Sequence, residues 1–168
     1  MTSVLDSLAP LDDIATDLKT LNFLNKLLIY IQPKIIVEAG TWKGHFSAVT
    51  AEYLPDSQVF TADIFNHHIP KLPNLYPYIG DFEIMLKEIP GPINFAYLDS
   101  GPPFLKGNPL ESDIRWRHYC AVKPYMAEGG LIINHDMNSR DWDHAEDILA
   151  DSDLYLSGGR GITIKQMR

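Results

Sequence analysis

Cysteine is nearly missing from this chain: Cys120 alone among 168 residues excludes an intrachain disulfide framework and any all-cysteine zinc site. No apolar run approaches the ~20 residues needed to cross a bilayer. The first residues, Met1-Thr2-Ser3-Val4-Leu5-Asp6, lack the basic-then-apolar order of a signal peptide. A cytoplasmic protein with no membrane partner is therefore expected. Basic charge is also scarce, with 14 Lys and Arg against 22 Asp and Glu for a formal charge of −8. With no basic block, nucleic-acid binding by counterion release is not expected. Internal repeats, low-complexity tracts and linkers are missing too. What remains is a chain that is 45% hydrophobic and long enough to close a core of its own. The expectation is one domain over 1–168, with an N-terminal helical cover at 1–33 and an α/β core at 34–166.

The central stretch is Ile35-Ile36-Val37-Glu38-Ala39-Gly40-Thr41-Trp42-Lys43-Gly44-His45-Phe46-Ser47. An apolar strand runs into an acid, then into a turn punctuated by glycines, then into a helix. In open α/β sheets ligands bind beyond the carboxyl ends of the strands, which puts Glu38, Gly40 and Gly44 at the mouth of a site. Ahead of it, Leu5, Leu8 and Pro10 suggest a short cover. Leu18, Leu21, Leu24, Leu27, Leu28 and Ile31 recur at helical spacing until Pro33 stops them.

After the turn, Phe46, Val49, Tyr53 and Leu54 mark a helix, and Val59 to Asp63 a second strand ending in an acid. Asp63 stands roughly 20 residues beyond the glycine turn, the interval at which such folds place a carboxylate on a ribose diol. Residues 64–78 hold too many prolines for a long helix, and the adjacent His67 and His68 read as solvated loop residues rather than a metal pair. Tyr76 to Ile79 makes a short third strand, followed by Gly80-Asp81. Phe82, Met85, Leu86 and Ile89 form a helical stripe, and Ile93 to Asp99 an apolar strand covered on both faces.

A Gly- and Pro-rich loop follows at 100–109, suited to substrate contacts. A helix is expected over 110–122, with Arg115, Arg117 and His118 on its wet face. Gly129 to Asp136 is a fifth strand, bringing His135, Asp136 and Asn138 to the edge that Glu38, Asp63 and Asp99 share. Residues 141–150 suit a helix. Leu154-Tyr155-Leu156 and Ile162-Thr163-Ile164 flank a glycine-rich turn as a hairpin. The fold class expected is α/β: a Rossmann-like, doubly wound, mostly parallel seven-stranded sheet ending in an antiparallel hairpin, with helices on both faces.

The assembled strand ends resemble class I S-adenosylmethionine-dependent methyltransferases over about residues 34–166. Val37-Glu38-Ala39-Gly40-Thr41-Trp42-Lys43-Gly44 looks like their first motif, Asp63 matches their ribose-binding acid and Gly80-Asp81 the segment beside adenine. Tyr97-Leu98-Asp99 looks like the fourth-strand motif, and Gly129-Gly130-Leu131-Ile132-Ile133 like the fifth strand. The resemblance implies S-adenosyl-L-methionine as cofactor, held by Glu38, Gly40, Thr41, Gly44, Asp63, Asp81 and Asp99. It implies a small-molecule acceptor methylated at oxygen, with Asp99 and His135 as the catalytic base candidates. A weaker similarity to metal-assisted catechol-type O-methyltransferases implies Mg²⁺ on Asp99, Asp136 and Asn138, although Met137 interrupts the paired ligands of that family.

The residues themselves favour a donor without phosphate. A dinucleotide fingerprint needs glycine where its backbone meets pyrophosphate, and counted from Gly40 this chain has Trp42 and His45 there. That disfavours a dinucleotide-dependent oxidoreductase. A non-catalytic nucleoside-binding or scaffold protein on the same fold is the alternative, motivated by Trp42 and by the little chain left for an acceptor lid. The first helix could cover a partner copy as well as its own sheet, which makes a homodimer one expected arrangement. Gly40→Val is expected to abolish donor binding while leaving the sheet folded.

Overall fold

The computed structural model describes residues 16–101, 114–138 and 144–168. The expected cover at Leu5 to Pro10, most of the 100–109 loop, and the first residues of the helices expected from 110 and 141 lie outside them.

Seven strands form one sheet: β1 (Ile35–Ala39), β2 (Gln58–Asp63), β3 (Leu75–Ile79), β4 (Ile93–Leu98), β5 (Met126–His135), β6 (Leu154–Leu156) and β7 (Ile162–Gln166). Their spatial order is β3-β2-β1-β4-β5-β7-β6. The first five strands run parallel, while β7 lies antiparallel to β5 and β6. The chain order reverses between β1 and β4, and the parallel strand ends there open the crevice where such sheets take ligands.

Helices α1 (Leu18–Ile31), α2 (His45–Tyr53), α3 (Phe82–Leu86), α4 (Ile114–Val122) and α5 (Ala145–Asp151) flank the sheet, and a 3-10 turn at Lys123–Tyr125 leads into β5. Strand periodicity divides the core between the two faces. In β4, Phe95 and Tyr97 pack with Leu21, Leu24, Leu28 and Phe46, whereas Ala96 and Leu98 pack with Phe82, Leu86, Tyr119 and Ile148. Each such large apolar side chain contributes about 2 kcal/mol by leaving water.

The helix ends follow from local chemistry. Asp17 caps α1 by accepting from the backbone N–H groups of Lys19 at 3.0 Å and Thr20 at 3.1 Å. Gln32 ends α1 in the left-handed region at φ 48°. Asn74 spans the far end of α2, its Nδ2 lying 3.0 Å from the carbonyls of Ala51, Leu54 and Ser57.

Some boundaries differ from the sequence pattern. Residues 64–74 carry no helix or strand, as their prolines require. β5 begins at Met126, ahead of the double glycine, because Met126 pairs with Ile93 before a register shift. α3 stops before Ile89. Among the described residues no helix is long and apolar enough to cross a membrane.

Candidate active site

The strands deliver Glu38, Asp63, Asp99, His135 and Asp136 to one edge. The turn after β1 comes within van der Waals reach of the end of β4. Gly40 sits at φ 91°, its N–H donating to the Ala62 carbonyl at 2.9 Å. Thr41, Trp42, Lys43 and Gly44 then close a tight turn, with the Gly44 N–H on the Thr41 carbonyl at 2.8 Å. Gly44, at φ 75°, stands at the N-cap of α2 against the Ile69 side chain.

Glu38 is fully enclosed. Its Oε2 accepts from Thr61 Oγ1 at 2.5 Å, and Thr61 in turn lies 2.5 Å from Thr41 Oγ1. Burial pushes its carboxyl up to about 8, and the negative charges of Asp99 and Asp63 push the same way against the hydroxyl bonds. The folded chain therefore holds a proton that the unfolded chain loses near pH 4.5. The resulting stability is fully present below that point and is lost as pH rises through about 8, at up to about 1.4 kcal/mol per unit. Glu38→Gln, which cannot ionise, is expected to gain stability relative to the unchanged chain as pH is raised across this window. Urea unfolding at both ends of the window checks it, and parallel midpoints would contradict it.

At the end of β2, Asp63 accepts from the backbone N–H of Trp42 and of Phe65, each at 3.0 Å, with His67 Nε2 3.4 Å away. Trp42 itself is in the left-handed region at φ 45° and lays its ring near that of His67. Ile64, Phe65 and Ile79 stand in solvent beside Asp63, which is paired in register with Ile79. An open cleft of about 510 Å³ extends from Asp63 along the crossover and β3. A smaller cleft joins Glu38, Gly40, Thr41 and Trp42 to Asp99 and Thr16.

Asp99 is the hub of a buried network. Its Oδ1 accepts from His135 Nδ1 at 2.9 Å, and its Oδ2 from Thr16 Oγ1 at 3.1 Å and the Tyr97 hydroxyl at 3.3 Å. Burial alone would raise the Asp99 carboxyl, but the His135 charge and hydrogen bond, with Arg115 and Thr16, hold it below the ordinary value. His135 has no exposed side-chain surface; burial would lower it, yet Asp99 and Asp136 raise it. Its other nitrogen lies 3.5 Å from Asp17 Oδ2. Asp17 is held down to about 2: burial opposes ionisation, and bonds from Thr20, Arg160 and His135 outweigh it.

The expected metal set divides. Ligand atoms of Asp99, His135 and Asp136 lie within 4.8 Å of one another, a spacing that suits a shared cation. Asn138 turns its amide to other partners. Met137 turns fully into the core, Asp136 takes a left-handed φ of 61°, and the chain is redirected onto the β6–β7 turn. There Asn138 Nδ2 donates to the carbonyls of Ser157 and Gly159, and its Oδ1 accepts from Tyr155 at 2.5 Å. Asp136 meets two guanidinium groups: Arg115 Nη2 at 3.0 Å and Arg160 Nε at 2.6 Å. A resident Mg²⁺ would add positive charge to carboxylates already neutralised.

Asp81 stands apart, capping α3 by accepting from the Glu83 N–H at 2.7 Å, with Arg117 3.8 Å away. Two residues expected on a wet face are not there. Arg115 turns in to Asp136 and the His135 carbonyl. His118 is buried, 2.7 Å from Ser100 Oγ, and burial pushes it down to about 4. Thr16, Asp17, Arg115 and Arg160 had no motif to mark them; Asp17 was legible only as a polar residue preceding a helical stripe.

No family model matches the sequence, and no curated protein matches it. Solved structures do. TomG, an O-methyltransferase of Streptomyces achromogenes involved in tomaymycin synthesis and solved with SAM, is 16% identical at a TM-score of 0.71, covering 100% of this chain and 91% of TomG. The SAH-bound methyltransferase PaMTH1 of Podospora anserina is 14% identical at a TM-score of 0.69, covering 94% of this chain and 81% of that one. MycE, from the mycinamycin biosynthetic pathway and solved with Mg and SAH, is 14% identical at 0.68, over 90% of this chain and 50% of MycE. The sheet order and these likenesses define the fold as that of class I methyltransferases, a Rossmann-like sheet closed by an antiparallel hairpin.

Proposed function

We propose that this chain is an S-adenosylmethionine-dependent methyltransferase that methylates a small-molecule acceptor at oxygen. The observation that carries the reading is the convergence, at one sheet edge, of the Gly40–Gly44 turn with the carboxyl groups of Glu38, Asp63 and Asp99. The SAM bound in TomG and the SAH bound in PaMTH1 support it. A cleft carrying these acids, one of them protonated while empty, suits a donor that is cationic and lacks phosphate.

S-adenosylmethionine supplies an electrophilic methyl group on a sulfonium sulfur. Asp63 keeps acceptor capacity beyond its two backbone bonds and would take the ribose diol, beside the exposed apolar surface of Ile64, Phe65 and Ile79 that suits a flat base. Glu38, Gly40, Thr41 and Gly44 would line the end that carries the amino acid, and Asp81 the base edge. Glu38 would release its proton when a cation enters. Transfer to a hydroxyl requires alignment and removal of a proton. Asp99 borders the small cleft and would accept that proton. His135 is wholly enclosed, so it acts as a positioning residue through its bond to Asp99.

Mass spectrometry of a panel of hydroxyl-bearing small molecules incubated with protein and donor tests the reading. Methylation of an acceptor supports it. Binding of donor without transfer to any of them would instead favour the nucleoside-binding alternative.

A further inference from the structure

The Asp99–His135–Asp136 cluster has the spacing of a cation site, and two guanidinium groups already contact its Asp136. Arg160 Nη2 donates to Asp136 Oδ2 at 2.9 Å, and its Nε lies 2.6 Å from Oδ1 as an ion-pair contact, although Oδ1 itself accepts no hydrogen bond. Arg115 adds a contact to Oδ2 at 3.0 Å and is anchored on the His135 carbonyl at 2.6 Å. The main chain of Arg160 is fixed as well: its N–H donates to Asp17 Oδ2 at 3.2 Å, and its carbonyl accepts from the Asn138 N–H at 3.0 Å. The β6–β7 turn thus aims this guanidinium at the end of β5.

We infer that Arg160 is the resident cation of this cluster, filling the charge position that a divalent ion would take, so that a metal enters only by displacing it. Two guanidinium groups already contact Asp136 there, which weakens its pull on Mg²⁺, an ion that also demands octahedral oxygen coordination. Of the two arginines, Arg160 is the replaceable one. Its side chain is 45% exposed against 14% for Arg115, which is anchored on the His135 carbonyl. Asn138 braces the turn that carries this cation, its Nδ2 donating to the carbonyls of Ser157 and Gly159.

The expectation of a metal comes from the catechol-type resemblance rather than from the proposed function, and the test reads metal binding rather than turnover. Melting temperatures of the unchanged chain, Arg160→Gln and the double variant Arg160→Gln/Asp136→Asn are compared with and without millimolar Mn²⁺ and Mg²⁺. The unchanged chain is expected to show no shift. Arg160→Gln is expected to start lower and to gain about 5 °C with saturating Mn²⁺, and the double variant to gain nothing. An equal shift in the unchanged chain, no shift in Arg160→Gln, or a shift that survives in the double variant would each overturn the inference. S-adenosylhomocysteine titrated into the same unchanged chain reports separately on the methyltransferase reading.

Discussion

Gly40→Ala is expected to abolish donor binding and to destabilise the fold by about 3 kcal/mol, the sum of left-handed backbone strain and overpacking. A Cβ on Gly40, which sits at φ 91°, would lie 2.5 Å from the Asp99 carbonyl oxygen, 2.9 Å from its carbon and 3.0 Å from the Ser100 nitrogen. All three are backbone atoms, so no rotamer relieves the overlap. Neither strand can retreat, because the Gly40 N–H is bonded to the Ala62 carbonyl and the Asp99 N–H to the Ala39 carbonyl, both at 2.9 Å. The expectation that Gly40→Val would spare the sheet is revised on this ground, since the close approach is part of how β1 and β4 end. Urea unfolding and calorimetry check both effects. A variant with unchanged stability and binding would show that the turn does not need glycine.

Asp99→Asn is expected to lower methyl transfer at least 100-fold, by removing the proposed base, and to cost about 3 kcal/mol by leaving a buried charge without its nearest counter-ion. Three groups converge on this carboxylate: His135, Thr16 and Tyr97. The stability loss carries a pH signature. His135 is raised in the folded chain, so its pairing contributes fully below the ordinary histidine value of 6.5 and is lost as pH rises through the folded value. Asp99 is lowered, so its share is present above 3.8 and is lost as pH falls through the folded value. The gap between variant and unchanged chain is therefore widest between these values and narrows at higher pH. A gap that is constant with pH would show that the pair contributes only packing.

The succession of strands and helices along the chain was legible because burial imposes periods of two and about 3.6 on any sequence. The acid-ended strands 35–39, 58–63 and 93–98 carried that signal, and the glycine-flanked hairpin closed it. The site was legible only where a residue sits at a strand end. Thr16 and Asp17 reach Asp99 and His135 from a segment about 80 to 120 residues away in sequence, and no local period encodes such a pairing. Arg115 and His118 were read as wet because α4 has almost no amphipathic contrast, with charged and aromatic residues alternating around it. For Asn138 the reason is local: Met137 before it is buried, and the Asn138 amide bonds to the hairpin turn.

Isothermal titration calorimetry with S-adenosylhomocysteine tests most directly whether this sheet edge is a donor site. One molecule is expected to bind per chain with a dissociation constant of about 100 μM or tighter. Absence of binding heat at about millimolar ligand in several buffers, with the chain folded, would contradict the proposed function.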